Sequence, residues 1–144
     1  MKEGGFLGLV VLFYTFLVGM GGLGGPASVR VREPARNYAA TVTDQSDIVT
    51  RLEKFSFEGE TILSGKMGDA HISISFEKIG WIGFLLQDDT LTAEVHLKEG
   101  KAIPLVVENG AACYGKLPYA DFKIGVEDIK SITMHGEVAG KNVP

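Results

Sequence analysis

The feature that most constrains this chain is an internal duplication. Residues 64–84 (SGKMGDAHISISFEKIGWIGF) align without a gap on residues 114–134 (YGKLPYADFKIGVEDIKSITM), at a constant offset of 50. A unit of about 50 residues buries only a marginal core when it folds alone. We therefore expect the two units to form one folded body. Seven of the 21 aligned pairs are identical: Gly65/Gly115, Lys66/Lys116, Ala70/Ala120, Ile74/Ile124, Glu77/Glu127, Ile79/Ile129 and Ile82/Ile132.

Within each repeat, apolar and polar residues alternate. Ile72, Ile74 and Phe76 are separated by polar residues, and Phe122 and Ile124 follow the same pattern in the second copy. A period of two predicts a strand with one buried face. The alternation breaks at 77–79 and at 127–129 and then resumes, which predicts a single 3₁₀ turn between two strands.

Extending this pattern predicts five strands in each unit. Asp88-Asp89 is interpreted as the turn that links the units, Glu58-Gly59 as a tight turn, and Asn109-Gly110 as a type I′ hairpin turn. The predicted fold is all-β, a sandwich or barrel of about ten strands built from two duplicated five-stranded units; the alternative is a pair of tandem SH3-like barrels. The strands outside the aligned segments are predicted at 39–44, 48–57, 61–66, 91–97 and 102–107, and the aligned isoleucines Ile74, Ile124, Ile82 and Ile132 are all expected to be buried.

The N-terminal region has the pattern of a signal peptide. Phe6 to Met20 is an apolar run of 15 residues preceded by Lys2, and it is short for a stable membrane span. Small residues before Ser28 would suit signal peptidase. The sequence thus predicts a signal peptide or membrane anchor at 1–27, a linker at 28–38 and the duplicated β-domain at 39–144. Because arginines follow the run, the alternative is an uncleaved inner-membrane anchor.

Composition excludes several classes of function. The net charge is −4 with a pI of 5.3, and charges of both signs are interspersed, so no phosphate-binding surface and no nucleic-acid partner are expected. Cys113 is the single cysteine, so an intramolecular disulfide is excluded. We interpret Cys113 as a small buried residue. Contact with a membrane is expected only through the N-terminal segment.

No catalytic, metal or cofactor site is predicted. The spacing of His71, His96 and His135 is unlike that of metal ligands, and no nucleophile or phosphate-binding motif occurs. Glu77 and Glu127 occupy equivalent places, and we interpret them as acceptors of backbone N–H groups at the start of a turn. A hydrolase that uses Glu77, Glu127 or His71 is the alternative.

Trp81 is the first candidate for a binding residue. Ile82 and Phe84 should point inward, which places Trp81 on the opposite face, where its counterpart in the second unit is Ser131. An outward tryptophan of this kind is typical of a contact with a protein, a glycan or a second subunit, and the alternative is that another sheet or the N-terminal segment covers it. Tyr114 and Tyr119, which lie near predicted turns, are weaker candidates of the same kind.

The motifs V-T-D, F-E-G-x-T-x-L-x-G-K and I-x-I-x-F-E-K-I at 42–79 are repeated in part at 115–129. They resemble those of uncharacterised exported small β-domains of bacteria. The resemblance implies export and a small β-fold, and it assigns no catalytic residue. The expected function is a non-enzymatic binding or assembly module of the bacterial cell envelope. The alternatives are an envelope hydrolase and a membrane-tethered structural subunit.

Mass analysis of the natively expressed protein tests the predicted processing. We expect the mature chain to begin at Ser28, because small residues precede that position and follow the apolar run. An intact chain from Met1 in the inner membrane, with its β-domain accessible only from the cytoplasm, would contradict the prediction.

Overall fold

The computed structural model describes residues 33–139, so the predicted signal peptide or anchor lies outside the described residues. The described part contains β-strands and two 3₁₀ turns, at Phe76–Lys78 and Val126–Asp128, where the sequence predicts them. The strands are β1 (Tyr38–Asp44), β2 (Val49–Phe57), β3 (Ile62–Met67), β4 (Ala70–Ser75), β5 (Ile79–Gln87), β6 (Thr90–Leu97), β7 (Ala102–Val107), β8 (Ala112–Leu117), β9 (Ala120–Gly125) and β10 (Ile129–Glu137).

All ten strands belong to one antiparallel sheet that curls into a half-barrel. The strand order is β4-β3-β7-β6-β5-β10-β1-β2-β8-β9. Exchanging the first five strands for the last five reproduces this order in reverse, so the duplication generates a pseudo-two-fold axis. The axis passes between β5 and β10, where Ile82 pairs with its own counterpart Ile132. The all-β, duplicated fold is confirmed, and both units share a single sheet rather than forming tandem SH3-like barrels.

The two units exchange hairpins across this axis. Within a unit only β1 pairs with β2 and only β3 with β4, and the same holds for β6–β7 and β8–β9. Every other pairing joins one unit to the other: β5 with β6 and β10, β1 with β10, β2 with β8, and β3 with β7. Neither unit can therefore form its sheet without the other.

This exchange overturns one turn prediction. β7 and β8 do not pair, so Asn109-Gly110 is not a hairpin turn, and of the two residues only Gly110 has a positive φ, of 95°. The type I′ conformation occurs instead at Glu58-Gly59, where φ is 56° and 86° and the flanking residues exchange backbone hydrogen bonds of 2.8 and 2.9 Å. The Asp88-Asp89 turn, which joins the units, also has two positive φ values, of 52° and 65°.

The core lies on the inner face of the curled sheet. Ile74, Ile82 and Ile132 are buried there, as the repeat predicts, but Ile124 is only partly buried. Ile124 lies on the edge strand β9 just as Ile74 lies on the edge strand β4, so the edge position alone does not distinguish them. The expectation that all four aligned isoleucines are buried is wrong for Ile124.

The shared glycines Gly65 and Gly115 mark the places where the exchanged hairpins join the sheet. A Cβ at Gly65 would stand 2.9 Å from Leu105 Cβ and 2.9 Å from the Val106 carbonyl oxygen, and a Cβ at Gly115 would stand 3.0 Å from Leu52 Cβ. Contacts this short leave no room for a methyl group. The identity of both units at this position thus follows from the close approach of β3 to β7 and of β8 to β2.

Replacing Gly65 tests this explanation. We expect Gly65→Ala to destabilise the fold by about 1–3 kcal/mol, the usual cost of overpacking, because the new methyl group meets backbone on β7. Gly80→Ala is the control, since a Cβ there has its nearest neighbour at 3.6 Å. Urea unfolding of both variants measures the difference, and equal free energies of unfolding would show that the close approach is not limiting.

Candidate binding face

The outer face of the sheet carries exposed apolar residues on β5 and β7, on either side of the polar outward residues Thr92, Glu94 and His96 of β6. The strand register places Leu85 beside Thr92, and Thr92 beside Val106, in one row across the three strands. Leu85 is 58% exposed and Val106 is 44% exposed. We call this surface the apolar face; its residues are Trp81, Leu85, Ala102, Pro104 and Val106, all of them exposed.

The indole ring of Trp81 lies on this face over Gly83, which has no side chain in its way. A Cβ built on Gly83 would come within 2.5 Å of Trp81 Cη2. The His96 ring meets the indole edge-on, with 4.9 Å between ring centroids. Trp81 remains 38% exposed. The structure thus places Trp81 on the face opposite the core, as the alternation predicts, with one side of the indole open.

The same surface of the other unit is more polar, although Val49, which is 64% exposed, lies at the position equivalent to Ala102. The pseudo-two-fold axis relates Trp81 to Ser131 and Leu85 to His135 on the central strands. On the flanking strands, the equivalent strand pairings relate Pro104 on β7 to Arg51 on β2. Val106 pairs with Lys66 and Glu53 pairs with Lys116, so Val106 and Glu53 are also equivalent. Because the more polar version is compatible with the same backbone, the fold itself does not require an apolar face on β5 and β7.

The structure separates the predicted binding residues. Tyr114 lies on β8, four strands from β5, which is about 19 Å along the sheet at the usual strand spacing. It is partly buried, and Lys123 Nζ lies 5.9 Å from its ring centroid. Tyr119 is 83% exposed in the turn between β8 and β9. The two tyrosines therefore lie near one end of the sheet, away from Trp81 on the central strand β5. Their role in binding stays a prediction.

Sequence reasoning missed four residues of the apolar face. Leu85 continues the alternation that identified Trp81, so the same signal could have found it. Ala102, Pro104 and Val106 are different, because every residue of β7 is apolar and a period of two gives no contrast between its faces. A strand that is apolar on both sides is typical of a strand covered on both sides.

The residues of the hydrolase alternative have separate surroundings. Glu77 lies 3.7 Å from Arg36, Glu127 lies against Gly125, and His71 points outward from the edge strand β4. The interpretation of the glutamates as caps is wrong for both turns: the Ser75 hydroxyl accepts the Glu77 N–H at 3.4 Å in the first, and the second has no side-chain cap hydrogen bond. In the first turn, a hydroxyl one residue before the turn reaches the Glu77 N–H more directly.

The other side chains with reactive or metal-binding groups, Cys113 and His135, have structural surroundings. Cys113 is buried, as predicted, and burial raises the pKa of its thiol well above the usual range, so the thiolate is disfavoured. His135 lies on β10 within 2.7 Å of the Thr41 hydroxyl. Among residues 33–139, no three His, Cys, Asp or Glu side chains are grouped as a metal site requires.

Together these features define a duplicated half-barrel β-protein. Its outer surface carries the apolar face in one half of the sheet and mostly polar residues at the equivalent positions of the other half. A family model described as an uncharacterised protein matches residues 34–137, and the chain therefore belongs to that family. No curated protein and no solved structure matches the chain. In the part of the chain that the structure describes, no helix has the length and apolar character to cross a membrane.

The seat of Trp81 can be tested with its own fluorescence, because it is the only tryptophan. We expect Gly83→Ala to lift the indole off the sheet and shift its emission to longer wavelength, since the added methyl group and the ring cannot occupy the same space. The displaced atoms belong to a partly exposed side chain, so the free energy of unfolding should change by less than about 1 kcal/mol. Gly80→Ala should leave the emission unchanged, and an unchanged spectrum for Gly83→Ala would contradict the described packing.

Proposed function

We propose that this protein is a non-enzymatic binding or assembly module of the bacterial cell envelope, and that the apolar face contacts a partner protein. The observation that carries the proposal is the difference between the two outer halves of one duplicated sheet. A surface that is mostly polar in one copy of the unit, but that carries Trp81, Leu85 and Val106 in the other, indicates a contact that the isolated domain lacks.

The composition of the face favours a protein over a glycan. Trp81 offers one open aromatic side, which both kinds of partner could use, but Leu85 and Val106 add aliphatic surface without hydrogen-bonding groups. Aromatic and aliphatic side chains together are typical of the centre of a protein interface, where a few residues supply most of the affinity. The face spans three strands, about 10 Å, so we propose it as the centre of a larger interface.

The N-terminal apolar run supports the envelope as the compartment. Residues 6–20 have the length and apolar character of a signal peptide, and a glycine-rich stretch at 19–25 and the predicted linker at 28–38 separate them from the β-domain. The proposed protein is therefore exported, and its apolar face meets its partner outside the cytoplasm.

Site-specific photocross-linking in cells tests the proposed face. A photoreactive residue at Leu85 should give a cross-linked protein product, and the same residue at His135, the equivalent position in the polar half, should give none. Trp81→Ala should reduce the Leu85 product at least about tenfold, since interface tryptophans are often hot spots. The mass of the product distinguishes a second copy of this chain from another protein.

Stability measurements separate binding from folding in this test. Because one side of the Trp81 ring is open, we expect Trp81→Ala to cost about 1–2 kcal/mol, less than the 3–5 kcal/mol of a fully buried aromatic. Ser131→Ala, at the equivalent position, should change neither stability nor cross-linking. Equal products from Leu85 and His135, or a Leu85 product that persists in Trp81→Ala, would refute the proposal.

A further inference from the structure

A groove borders the apolar face at the other side of β7. It has a volume of about 530 Å³ and runs over the outer face of β3, β4 and β7. Val106 belongs to both surfaces, because it is a residue of the apolar face and pairs with Lys66 on β3. The side chains that line the groove include Ser64, Lys66, His71, Ser73, Val106 and Glu108.

The equivalent place in the other unit already holds a piece of chain. Lys116 corresponds to Lys66, and its ammonium group binds the Glu33 carboxylate at 3.1 Å and the Asp121 carboxylate at 2.8 Å. These two carboxylates raise the pKa of Lys116. Glu33 comes from the segment that precedes β1, and it also lies 3.9 Å from Lys54 on β2. The segment thus lays an acidic side chain across β2 onto β8.

This segment is anchored at its far end. The Asn37 side-chain oxygen accepts the Lys54 N–H at 2.7 Å, and Arg36 pairs with Glu137 at 3.1 Å. The chain from 33 to 37 is therefore held against the outer side of the second half of the sheet by its own polar contacts.

Among residues 33–139, the first half has no counterpart to this segment. β6 corresponds to β1, but it follows β5 after the two-residue turn Asp88-Asp89, so none of the described chain runs over β7 towards β3. His71 stands where Asp121 stands in the second unit. Lys66 consequently lacks both carboxylate partners of Lys116, and it forms no ion pair with any residue between 33 and 139.

We propose that the groove over β3 and β7 binds an acidic, extended segment of the partner protein, with a carboxylate of that segment on Lys66. The proposal rests on the proposed function and names the chemistry of its partner. The contact of Glu33 with Lys116 is the template, because the duplicated backbone presents Lys66 at the register position equivalent to Lys116. The strand neighbour of Lys116 is Glu53, whereas that of Lys66 is Val106, so the partner's segment continues from Lys66 onto the apolar face.

The charges around the groove orient such a segment. Lys66 is the cationic group at one end, and Glu108 at the end of β7 is acidic. A carboxylate is attracted to the Lys66 end and repelled from the Glu108 end. The Ser64 and Ser73 hydroxyl groups, whose oxygens are 3.3 Å apart, add neutral hydrogen-bonding groups between β3 and β4.

Peptide binding to the full-length chain in mild detergent tests the proposal. The probe is a fluorescent peptide with the sequence of residues 31–38, VREPARNY, which contains the template residue Glu33. Its control is the same peptide with Glu33→Gln. We expect the control peptide to bind about tenfold more weakly to the wild-type protein, and Lys66→Ala to weaken binding of the Glu33-containing peptide by a similar factor. Against Lys66→Ala the two peptides should bind equally.

Lys116→Ala is the matched control, because Lys116 is the same residue in the other half and is already occupied by Glu33. This variant should bind the Glu33-containing peptide as the wild type does. Equal binding of the two peptides to the wild-type protein, no loss with Lys66→Ala, or a loss with Lys116→Ala would each overturn the proposal. Thermal melting should show both lysine variants folded, as both side chains are at least partly exposed.

The outcome is independent of the cross-linking at Leu85. If the peptide experiments fail while the Trp81-dependent Leu85 product persists, the acidic segment is refuted and the apolar face stands. If that product is absent, the proposed function fails whether or not the peptide binds to Lys66.

Discussion

The pairing of β5 with β10 at Ile82 and Ile132 is the contact on which the rest of the structure depends. It places the two repeats antiparallel about one axis and directs the β3–β4 hairpin of the first unit, and the β8–β9 hairpin of the second, onto the opposite unit. Each half therefore buries its core only against the other. This arrangement gives a 50-residue repeat a larger shared core without a disulfide, which the single cysteine could not form within the chain.

Duplication also gives the protein two equivalent outer surfaces on one rigid sheet. Inward positions stay apolar in both copies because the shared core requires it. Outward positions have no such requirement, and there the copies differ: serine, histidine, arginine and glutamate in one, tryptophan, leucine, proline and valine in the other. Lys66 and Lys116 show the same divergence through their surroundings rather than their identity, since only Lys116 has Glu33 and Asp121 beside it.

Local patterns predicted the strands well, and they failed where long-range pairing decides. The alternation around Ile74 and Ile82 and the 3₁₀ turn after Ser75 are local consequences of side-chain period and were predicted correctly. The Asn109-Gly110 dipeptide favours a hairpin turn, but β7 and β8 belong to distant parts of the sheet, and the connection must cross over instead. For the binding surface, Trp81 was predicted from its serine counterpart, whereas Val106 lay in a uniformly apolar strand whose faces no local pattern distinguishes.

The sequence by itself determined the duplication, the all-β class, the strands, and the outward position of Trp81, because each of these follows from period and identity along the chain. The tertiary structure alone decided which strands are neighbours, and thus that Trp81, Leu85 and Val106 share one face and that Lys66 borders it. The physical reason is that strand exchange joins residues far apart in sequence through backbone hydrogen bonds, which carry no side-chain signature. The glycines at positions 65 and 115 are the one sequence feature that reflects this exchange. They can be explained only once the neighbouring strands are known, because those strands approach the two glycines closely.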